Sequence, residues 1–237
     1  MRLLVLQHLA SEHPGVFRDF FREDGFEWTT IELDEGEKIP DLAPFDAMVV
    51  MGGPQDVWQE DEHPWLKPEK AAIRQFVVEM GRPYLGICLG HQLLADALGG
   101  EVGPGAAPEV GALTISLTED GRRDPLFAGL SDPIEVLQWH GAAVNRLPPG
   151  GVALARSDMC EVQAFRYGPR AYGLQCHVEA GPETVPDWVA IPAYARALET
   201  ALGAGAVDRL TADVSERMPA YTAVARRLYE NFKVLAG

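Results

Sequence analysis

Apolar residues in the first hundred positions form short continuous runs, and segments typical of helices lie between these runs. Short apolar runs suit strands that are buried on both faces. The predicted strands are residues 3–9, 28–33, 46–51 and 83–87. The predicted helices are residues 15–21, 64–80 and 89–98. Strands that alternate with helices in this way predict a doubly wound α/β fold.

The pattern changes after residue 100, where apolar runs follow one another with turns between them and without long helices. The predicted strands of this part are residues 112–117, 134–138, 152–155, 162–167 and 172–176. Residues 103–105 (Gly-Pro-Gly) predict a turn, and the polar residues 56–63 predict an acidic loop. Consecutive strands joined by turns indicate antiparallel pairing, so the complete sheet is expected to be mixed.

From residue 182 onward the chain is predicted to be helical again. Residues 182–202 form one predicted helix and residues 206–235 a second, which is expected to be interrupted at Pro219. Apolar residues of the second segment recur every three or four positions and therefore form one face. We interpret this face as packing on the sheet. The alternative is a docking face for a partner or for a second copy in a homodimer.

These elements predict a flavodoxin-like α/β fold with C-terminal helices. The whole chain, residues 1–237, is interpreted as a single domain with a core at about 1–182 and a C-terminal helical segment at about 183–237. A chain of this length can bury a full hydrophobic core without dividing.

Composition and charge limit the classes of molecule that the protein is expected to bind. The formal net charge is −15, which disfavours binding to nucleic acid or to an anionic membrane surface. Three cysteines do not indicate a disulfide framework, and the first residues are predicted to form a strand rather than a secretion signal. No apolar run approaches the ~20 residues that span a bilayer, so we expect a cytoplasmic location.

The strongest candidate for chemistry is Cys88, which lies between Gly86 and Gly90 where a predicted strand meets a predicted helix. This spacing is that of a nucleophile elbow, in which a strained turn lifts a reactive side chain above the sheet and small neighbours avoid a clash. The amino end of the following helix would favour a thiolate over a thiol. A lone cysteine is usually buried and inert, but its position between the glycines favours a nucleophile.

A thiolate needs a base and a group that orients the base. His177 and Glu179 are two residues apart in a predicted strand and would share one face, so the glutamate can orient the histidine. Alone, such a pair is more often solvated; together with Cys88 it becomes the catalytic candidate. His140 has no carboxylate two residues away, so we assign it either a substrate-pocket role or a structural role.

Backbone amides at two turns could stabilise an oxyanion. Gly53 follows the strand at residues 46–51, and Leu89 is the first residue after the elbow cysteine, so their N–H groups could bind the oxygen of an attacked carbonyl. Without Cys88, the Gly52-Gly53 pair would be interpreted as an ordinary turn. No metal site is expected, because Cys88 and His91 span the elbow while Cys176 and His177 would face opposite sides of a strand.

The sequence resembles the class I glutamine amidotransferases, whose signature joins a Gly-x-Cys-x-Gly-x-Gln elbow to a later Gln-x-His-x-Glu segment. These are residues 86–92 and 175–179 here. The resemblance runs from about residue 1 to 179. Residues 51–54 match the oxyanion loop of the family, and residues 109–111 are a further family-like segment. The resemblance is strongest to stand-alone members related to the glutaminase part of GMP synthetase, on residues 5–8 and 139–141. Val178 and Ala142 depart from the family pattern, which has proline and aspartate there.

The resemblance implies a glutaminase in which Cys88 attacks the side-chain amide of glutamine and His177 protonates the departing ammonia. It further implies that Gln92 helps to hold glutamine, that no cofactor is needed, and that a synthetase partner could receive the ammonia. Three alternatives stay open: a γ-glutamyl peptidase with the same triad, which the departures at Ala142 and Val178 allow; a peptidase or chaperone of related cysteine-elbow folds; and a non-catalytic regulatory module.

Overall fold

The described chain contains one mixed sheet of nine strands. The computed structural model describes residues 1–237, apart from the side chains of Ala193 and Ala197. The strands are β1 (Arg2–Gln7), β2 (Glu27–Glu32), β3 (Ala47–Val50), β4 (Tyr84–Ile87), β5 (Glu101–Leu117), β6 (Ile134–Arg146), β7 (Gly151–Arg156), β8 (Ala164–Tyr167) and β9 (Ala171–Leu174). Their order across the sheet is β2-β1-β3-β4-β9-β8-β7-β5-β6.

The two halves of the sheet differ in strand direction. Strands β2, β1, β3, β4 and β9 are parallel, in the order of a flavodoxin-like fold. Strands β9, β8, β7, β5 and β6 pair antiparallel. The predicted mixed, doubly wound α/β fold is therefore confirmed. The carboxyl ends of β3 and β4 lie side by side, which brings the turn after β3 to the elbow after β4.

The described chain has seven α-helices, which pack on the sheet or on one another. They are α1 (Phe17–Glu23), α2 (Leu66–Arg74), α3 (Leu89–Ala97), α4 (Glu119–Arg123), α5 (Thr184–Val189), α6 (Pro192–Leu202) and α7 (Ala206–Ala236). Helix α2 continues into a π-helical turn, Gln75–Glu79, and a 3₁₀ turn, Pro125–Phe127, follows α4. None of the helices in the described chain is long and apolar enough to cross a membrane.

Alternate residues of the central strands enter two separate hydrophobic cores. Leu3 and Val5 of β1 pack with the phenylalanines of α1 and with the second half of α7. Leu4 and Leu6 face the other side and pack with α2 and α3. Because side chains alternate across a strand, continuous apolar runs are what a sheet covered on both sides requires.

The C-terminal helices differ from the prediction in two ways. The predicted helix 182–202 is divided into α5 and α6. The predicted interruption at Pro219 is wrong, because α7 is continuous across it. Proline removes a helical hydrogen bond at a cost of ~3 kcal/mol, but buried residues on both sides, including Val214 and Tyr221, hold the helix in place. The apolar face of α7 packs on the sheet and on α5 and α6, as the preferred interpretation predicts.

Two strands, β5 and β6, are longer than predicted and pair antiparallel along most of their length. Strand β5 begins at Glu101, so the turn predicted at residues 103–105 is wrong: Gly103 and Pro104 pair with β6, and a bulge follows Pro104. Strand β6 continues to Arg146, so His140 lies within a strand rather than just past one. The bulge accommodates the glycines and proline without ending the ladder, and pairing partners in β6 favour extended backbone.

Candidate active site

Cys88 occupies a strained turn between β4 and α3. Its backbone has φ 51° and ψ −105°, and it is the only non-glycine residue with positive φ in the described chain. The Cys88 N–H donates a hydrogen bond to the carbonyl of Leu174 at 2.8 Å, which ties the turn to β9. Strain of this kind costs about 1–3 kcal/mol and concentrates at functional sites. The predicted elbow conformation is therefore present.

The two flanking glycines are required by close backbone approaches. A Cβ on Gly86 would lie 2.4 Å from the carbonyl oxygen of Gly90. A Cβ on Gly90 would lie 2.2 Å from the carbonyl oxygen of Val50 in β3. Both obstacles are backbone atoms, which cannot rotate away as a flexible side chain can. Helix α3 can start this close to the sheet only because these positions have no side chain.

We expect Gly90→Ala to destabilise the fold by about 1–3 kcal/mol, because the new methyl group must displace β3 or α3. The measurement is urea unfolding of the variant and the wild type. Gly141→Ala is the matched control, since a Cβ there has no neighbour within 4 Å, and its change in stability should stay within about 0.5 kcal/mol. Equal stability of both variants would contradict the close approach.

His177 and Glu179 form a buried pair just beyond β9. The His177 Nδ1–H donates to Glu179 Oε1 at 2.8 Å, and both side chains are at most 3% exposed. The prediction that both lie in a strand is wrong, since β9 ends at Leu174 and His177 makes only an isolated bridge to Leu137. The turn at residues 178–179 brings the carboxylate back to the ring. The edge of the Trp188 ring packs on the imidazole, with ring centroids 4.5 Å apart.

The surroundings of His177 favour the imidazolium. Burial lowers the pKa of His177, but the Glu179 carboxylate and the neighbouring Cys88 raise the pKa by more, to well above its ordinary value. Because Nδ1 is engaged by Glu179, Nε2 is the nitrogen available to the sulfur. The geometry therefore provides a thiol next to a base whose orientation is fixed.

The other two cysteines have different surroundings. Cys160 and Cys176 are both buried. Burial raises the pKa of the Cys160 thiol to about 11, and it raises the pKa of Cys176 even further. Cys88 lines a large cavity, whose volume is about 1010 Å³. Of the three thiols, Cys88 is thus the one placed to meet a ligand.

The two amides assigned to an oxyanion site lie beside this thiol. Leu89 is the first residue of α3, so its N–H has no intrahelical acceptor. Within the described residues, the Gly53 N–H makes no hydrogen bond. Both residues line the cavity together with Cys88, and a Cβ on Gly53 would lie 3.0 Å from Leu89 Cδ2. Two free donors therefore lie next to the thiol.

His8 fixes the peptide that carries one of these donors. Its Nδ1–H donates to the carbonyl oxygen of Gly52 at 2.9 Å, and its Nε2 lies 2.8 Å from Glu69 Oε1. Both side chains are fully buried. The carbonyl of Gly52 and the N–H of Gly53 belong to one planar peptide and point in opposite directions, so a held carbonyl fixes the direction of the N–H. Burial lowers the pKa of His8, but Glu69 raises it by more.

The sequence analysis did not identify His8 and Glu69 as site residues. They are separated by 61 positions, and neither belongs to a motif of the elbow. Two signals pointed to His8: it closes the segment 5–8 that resembles the GMP synthetase-related members, and it lies at the carboxyl end of β1, where ligands of open α/β sheets bind.

Gln92 and Gln175 form a polar connection behind the thiol. Gln92 Nε2 donates to Gln175 Oε1 at 3.0 Å and to the carbonyl of Ala142 at 3.2 Å. Gln175 Nε2 in turn lies 3.7 Å from the sulfur of Cys88. Gln92 lines the cavity, as its predicted substrate contact requires, but both hydrogens of its amide are used inside the protein. Any contact with a ligand would therefore use its Oε1.

His140 also lines the cavity and belongs to a second buried network. Its Nδ1–H donates to the carbonyl of Ala142 at 2.9 Å, and its Nε2 lies 3.2 Å from Glu109 Oε2. The Glu109 carboxylate also accepts from Gln163 Nε2 at 2.7 Å. Burial raises the pKa of Glu109, but its hydrogen bonds with His140 and neighbouring groups lower it by more. His140 is both a cavity residue and a structural one.

Glu12, a buried carboxylate near the predicted triad, was also not predicted as a site residue from the sequence. Glu12 follows β1, is 4% exposed and lines the cavity. Its Oε1 accepts a hydrogen bond from the Tyr194 hydroxyl at 2.7 Å, whereas its Oε2 has no partner among the described residues. Burial raises the pKa of Glu12, although His177 and Tyr194 oppose this shift. Tyr194 is 182 positions away on α6, so no local pattern connects the two.

The described residues contain no group of three or more His, Cys, Asp or Glu arranged to hold a metal ion. Of the cysteines and histidines weighed as zinc ligands, His91 is fully buried and packs its ring against Phe165, with centroids 5.1 Å apart. Burial lowers the pKa of His91 to about 3, so its imidazole is neutral at physiological pH.

The fold and these side chains match one protein family. The family described as "Glutamine amidotransferase class-I" matches residues 17–187. The chain belongs to this family. The glutamine amidotransferase-like protein YfeJ of Salmonella typhimurium is 35% identical over 189 residues, which cover 78% of this chain and 78% of that protein. A glutamine amidotransferase from Thermotoga maritima has the same fold, with a TM-score of 0.87 and 30% identity over 98% of this chain and 97% of that one.

Two further relatives of this chain carry different names. A subunit of the glutamine-hydrolysing GMP synthase of Archaeoglobus fulgidus is 34% identical over 76% of this chain and 89% of that protein. "Gamma-glutamyl peptidase 5" of Arabidopsis thaliana is 30% identical over 71% of this chain and 68% of that protein. The predicted resemblance to class I glutamine amidotransferases is confirmed, and relatives with two substrate classes lie at similar distances.

Proposed function

We propose that this chain hydrolyses the side-chain amide of glutamine through a thioester on Cys88. The observation that carries the proposal is the contact of Cys88, in its strained turn, with a histidine that Glu179 orients, at the wall of a large cavity. Membership of the class I amidotransferase family supports the same reaction. No metal or organic cofactor takes part in the proposed steps.

The proposed acylation uses the residues at the elbow. The Cys88 sulfur attacks the amide carbon, and the developing oxyanion accepts hydrogen bonds from the N–H groups of Gly53 and Leu89. His177 Nε2 gives its proton to the nitrogen, the C–N bond breaks, and ammonia leaves. Glu179 keeps Nδ1 engaged, so that Nε2 faces the sulfur throughout.

Deacylation repeats these steps with water. His177 removes a proton from a water molecule, whose oxygen attacks the thioester carbon. The C–S bond breaks, its electron pair returns to the sulfur, and glutamate is released. Gln92 Oε1 and His140 line the cavity and are proposed to contact the glutamyl part of the substrate.

We propose further that a partner synthetase receives the ammonia, because the relative from Archaeoglobus fulgidus is named as one subunit of a glutamine-hydrolysing GMP synthase. The acidic loop at residues 56–63 follows the Gly52-Gly53 turn and could reposition when a partner docks. The chain alone should then hydrolyse glutamine slowly, since one misplaced oxyanion donor costs ~10²–10³ in rate.

A γ-glutamyl peptidase is the second candidate, and the cavity favours it. A volume of about 1010 Å³ is at the upper end for drug-sized ligands, whereas glutamine has only ten non-hydrogen atoms. The relative named γ-glutamyl peptidase 5 supports the same interpretation. This reaction uses the same steps, with an amino acid in place of ammonia as the leaving group.

One experiment separates these functions. Glutamate release by the purified chain is measured with glutamine and with a γ-glutamyl dipeptide, each with and without lysate fractions from its source. A slow glutaminase that a fraction accelerates supports a partner-dependent amidotransferase. A much higher kcat/KM for the dipeptide, unchanged by any fraction, supports the peptidase. If neither substrate acylates Cys88, the remaining interpretation is that the chain is a non-catalytic regulatory module.

We expect His8→Gln to lower kcat for glutamine by about 10–10²-fold, because the Gly53 N–H is no longer held in one direction. Alkylation of Cys88 by iodoacetamide should keep its rate, since this displacement creates no oxyanion. His63→Gln serves as the matched control: the rings of His8 and His63 both pack on Trp65, with centroids 5.2 Å and 5.6 Å away, but His63 does not contact Gly52. Parallel losses of both rates in His8→Gln would indicate general disorder of the site instead.

A further inference from the structure

The Glu12 carboxylate lies beside the ring of His177. Its Oε2 lies 2.5 Å from the point that a Cβ on Gly52 would occupy, and His177 Cε1 lies 3.2 Å from the same point. Cε1 is bonded to both ring nitrogens, and one of them, Nε2, is the nitrogen that transfers protons in the proposed reaction. The unpartnered oxygen of Glu12 is therefore near the ring that gives a proton to the leaving nitrogen.

Glu12 is prepared to accept one hydrogen bond from a ligand. A buried carboxylate oxygen without a donor is costly, and buried acceptors in proteins are almost always satisfied. The Tyr194 hydroxyl holds the other oxygen at 2.7 Å, so the side chain is fixed while Oε2 stays open. Glu12 and Tyr194 both line the cavity of Cys88, so this pair lies at the wall of the space that would hold the ligand.

A carboxylate acceptor at this position fits an amine. Glu12 accepts N–H hydrogen bonds but, when ionised, has no proton to donate to an oxyanion. The oxyanion is assigned to the amides of Gly53 and Leu89, and the proton transfer to His177, so neither task is left for Glu12. The remaining group that needs a hydrogen-bond acceptor is the nitrogen of the leaving or attacking amine. This nitrogen carries at least one N–H bond before, during and after the reaction.

We propose that Glu12 forms an amine subsite, which binds the ammonia or primary amine that is released when the thioester forms and can bind an amine that attacks the thioester. This inference rests on the proposed thioester chemistry of Cys88. It implies that the site can transfer a γ-glutamyl group to a small amine as well as to water. The substrate class thereby extends to γ-glutamyl amides of primary amines.

The transfer balances without a further reactant. The lone pair of the amine nitrogen attacks the thioester carbon and forms a C–N bond, while Glu12 Oε2 accepts a hydrogen bond from that nitrogen. The C–S bond breaks and its electron pair returns to the sulfur of Cys88. The nitrogen loses one proton to His177 Nε2, so the product is a neutral γ-glutamyl amide.

Hydroxylamine tests the subsite, because it attacks the same thioester as water does. The chain is incubated with glutamine and hydroxylamine, and glutamate and γ-glutamyl hydroxamate are measured in one sample. Both products arise from one thioester, so their ratio does not depend on the fraction of folded protein. Glu12→Gln has nearly the shape of the original side chain and removes its charge. Asp56→Asn is the matched control, because Asp56 lines the same cavity and loses the same charge.

We expect Glu12→Gln to lower the ratio of hydroxamate to glutamate by about tenfold, which corresponds to the loss of one hydrogen bond to a charged group. Asp56→Asn should change the ratio by less than about twofold. An unchanged ratio of hydroxamate to glutamate in Glu12→Gln overturns the amine subsite. If the pH profile of the variant is shifted while the ratio is unchanged, Glu12 acts on His177 electrostatically and does not bind the amine. Wild type that forms neither product overturns the proposed thioester chemistry and this inference with it.

Discussion

Replacement of Cys88 by alanine should lower the rate of glutamine hydrolysis by ~10⁴-fold or more while the chain stays folded. No other described cysteine lines the cavity, and the reaction has no thioester route without this sulfur. Alanine is compatible with the small space of the elbow, although the strained φ of 51° remains. Steady-state glutamate release measures the loss, and urea unfolding measures the stability of the variant.

Cys160→Ala and Cys176→Ala are the controls for this variant. Both thiols are buried and hold no position at the cavity wall, so glutamine hydrolysis should stay within about a factor of three if the variants fold. Each deletes a buried sulfur and should lower stability by about 1 kcal/mol or more. Substantial activity of Cys88→Ala would contradict the assignment of the nucleophile. So would a result in which only Cys176→Ala loses activity.

Local sequence patterns were sufficient for the parallel half of the fold and for the elbow. A strand that ends in Gly86-x-Cys88-x-Gly90 has few ways to continue, because a Cβ at either glycine would meet backbone. The pairing of His177 with Glu179 was predicted correctly from their spacing, but for the wrong reason. The two residues meet across a turn after β9, where the chain reverses, and not on the face of a strand.

Long-range packing decided what the sequence could not predict. Helix α7 passes through Pro219 because residues on both sides pack against α5 and α6. Strand β5 passes through Pro104 because β6 supplies a pairing partner for the residues around it. In each case a local signal for a break was correct in isolation, and tertiary contacts outweighed it.

The same reason explains which site residues were missed. His8 reaches Glu69, and Glu12 reaches Tyr194, through contacts between elements that are distant along the chain. Glu12 carries no periodic or motif signal, and the resemblance of segment 5–8 does not show which residue His8 contacts, so only the folded structure shows their partners. These residues surround the predicted triad without belonging to its motifs.

His177→Ala should lose glutamine hydrolysis about as completely as Cys88→Ala, whereas Glu179→Gln should keep roughly 10²-fold more activity. The histidine transfers every proton in the proposed cycle. When catalytic residues act as a unit, removing one of them costs nearly as much rate as removing all of them. Glutamine at position 179 can still accept a hydrogen bond from Nδ1, so the ring keeps its orientation while the negative charge is lost. Steady-state kinetics of the two variants measure this difference.

The pH profile of Glu179→Gln supplies the decisive comparison. The Glu179 carboxylate raises the pKa of His177, so its removal should lower that pKa. The imidazolium is the proton donor to the leaving nitrogen, and it is lost as pH rises through the pKa. The alkaline limb of kcat/KM should therefore move to lower pH in Glu179→Gln, while Glu183→Gln, which carries the same change outside the pair, should keep the wild-type limb. An alkaline limb that stays in place in Glu179→Gln would show that this carboxylate does not control the charge of His177.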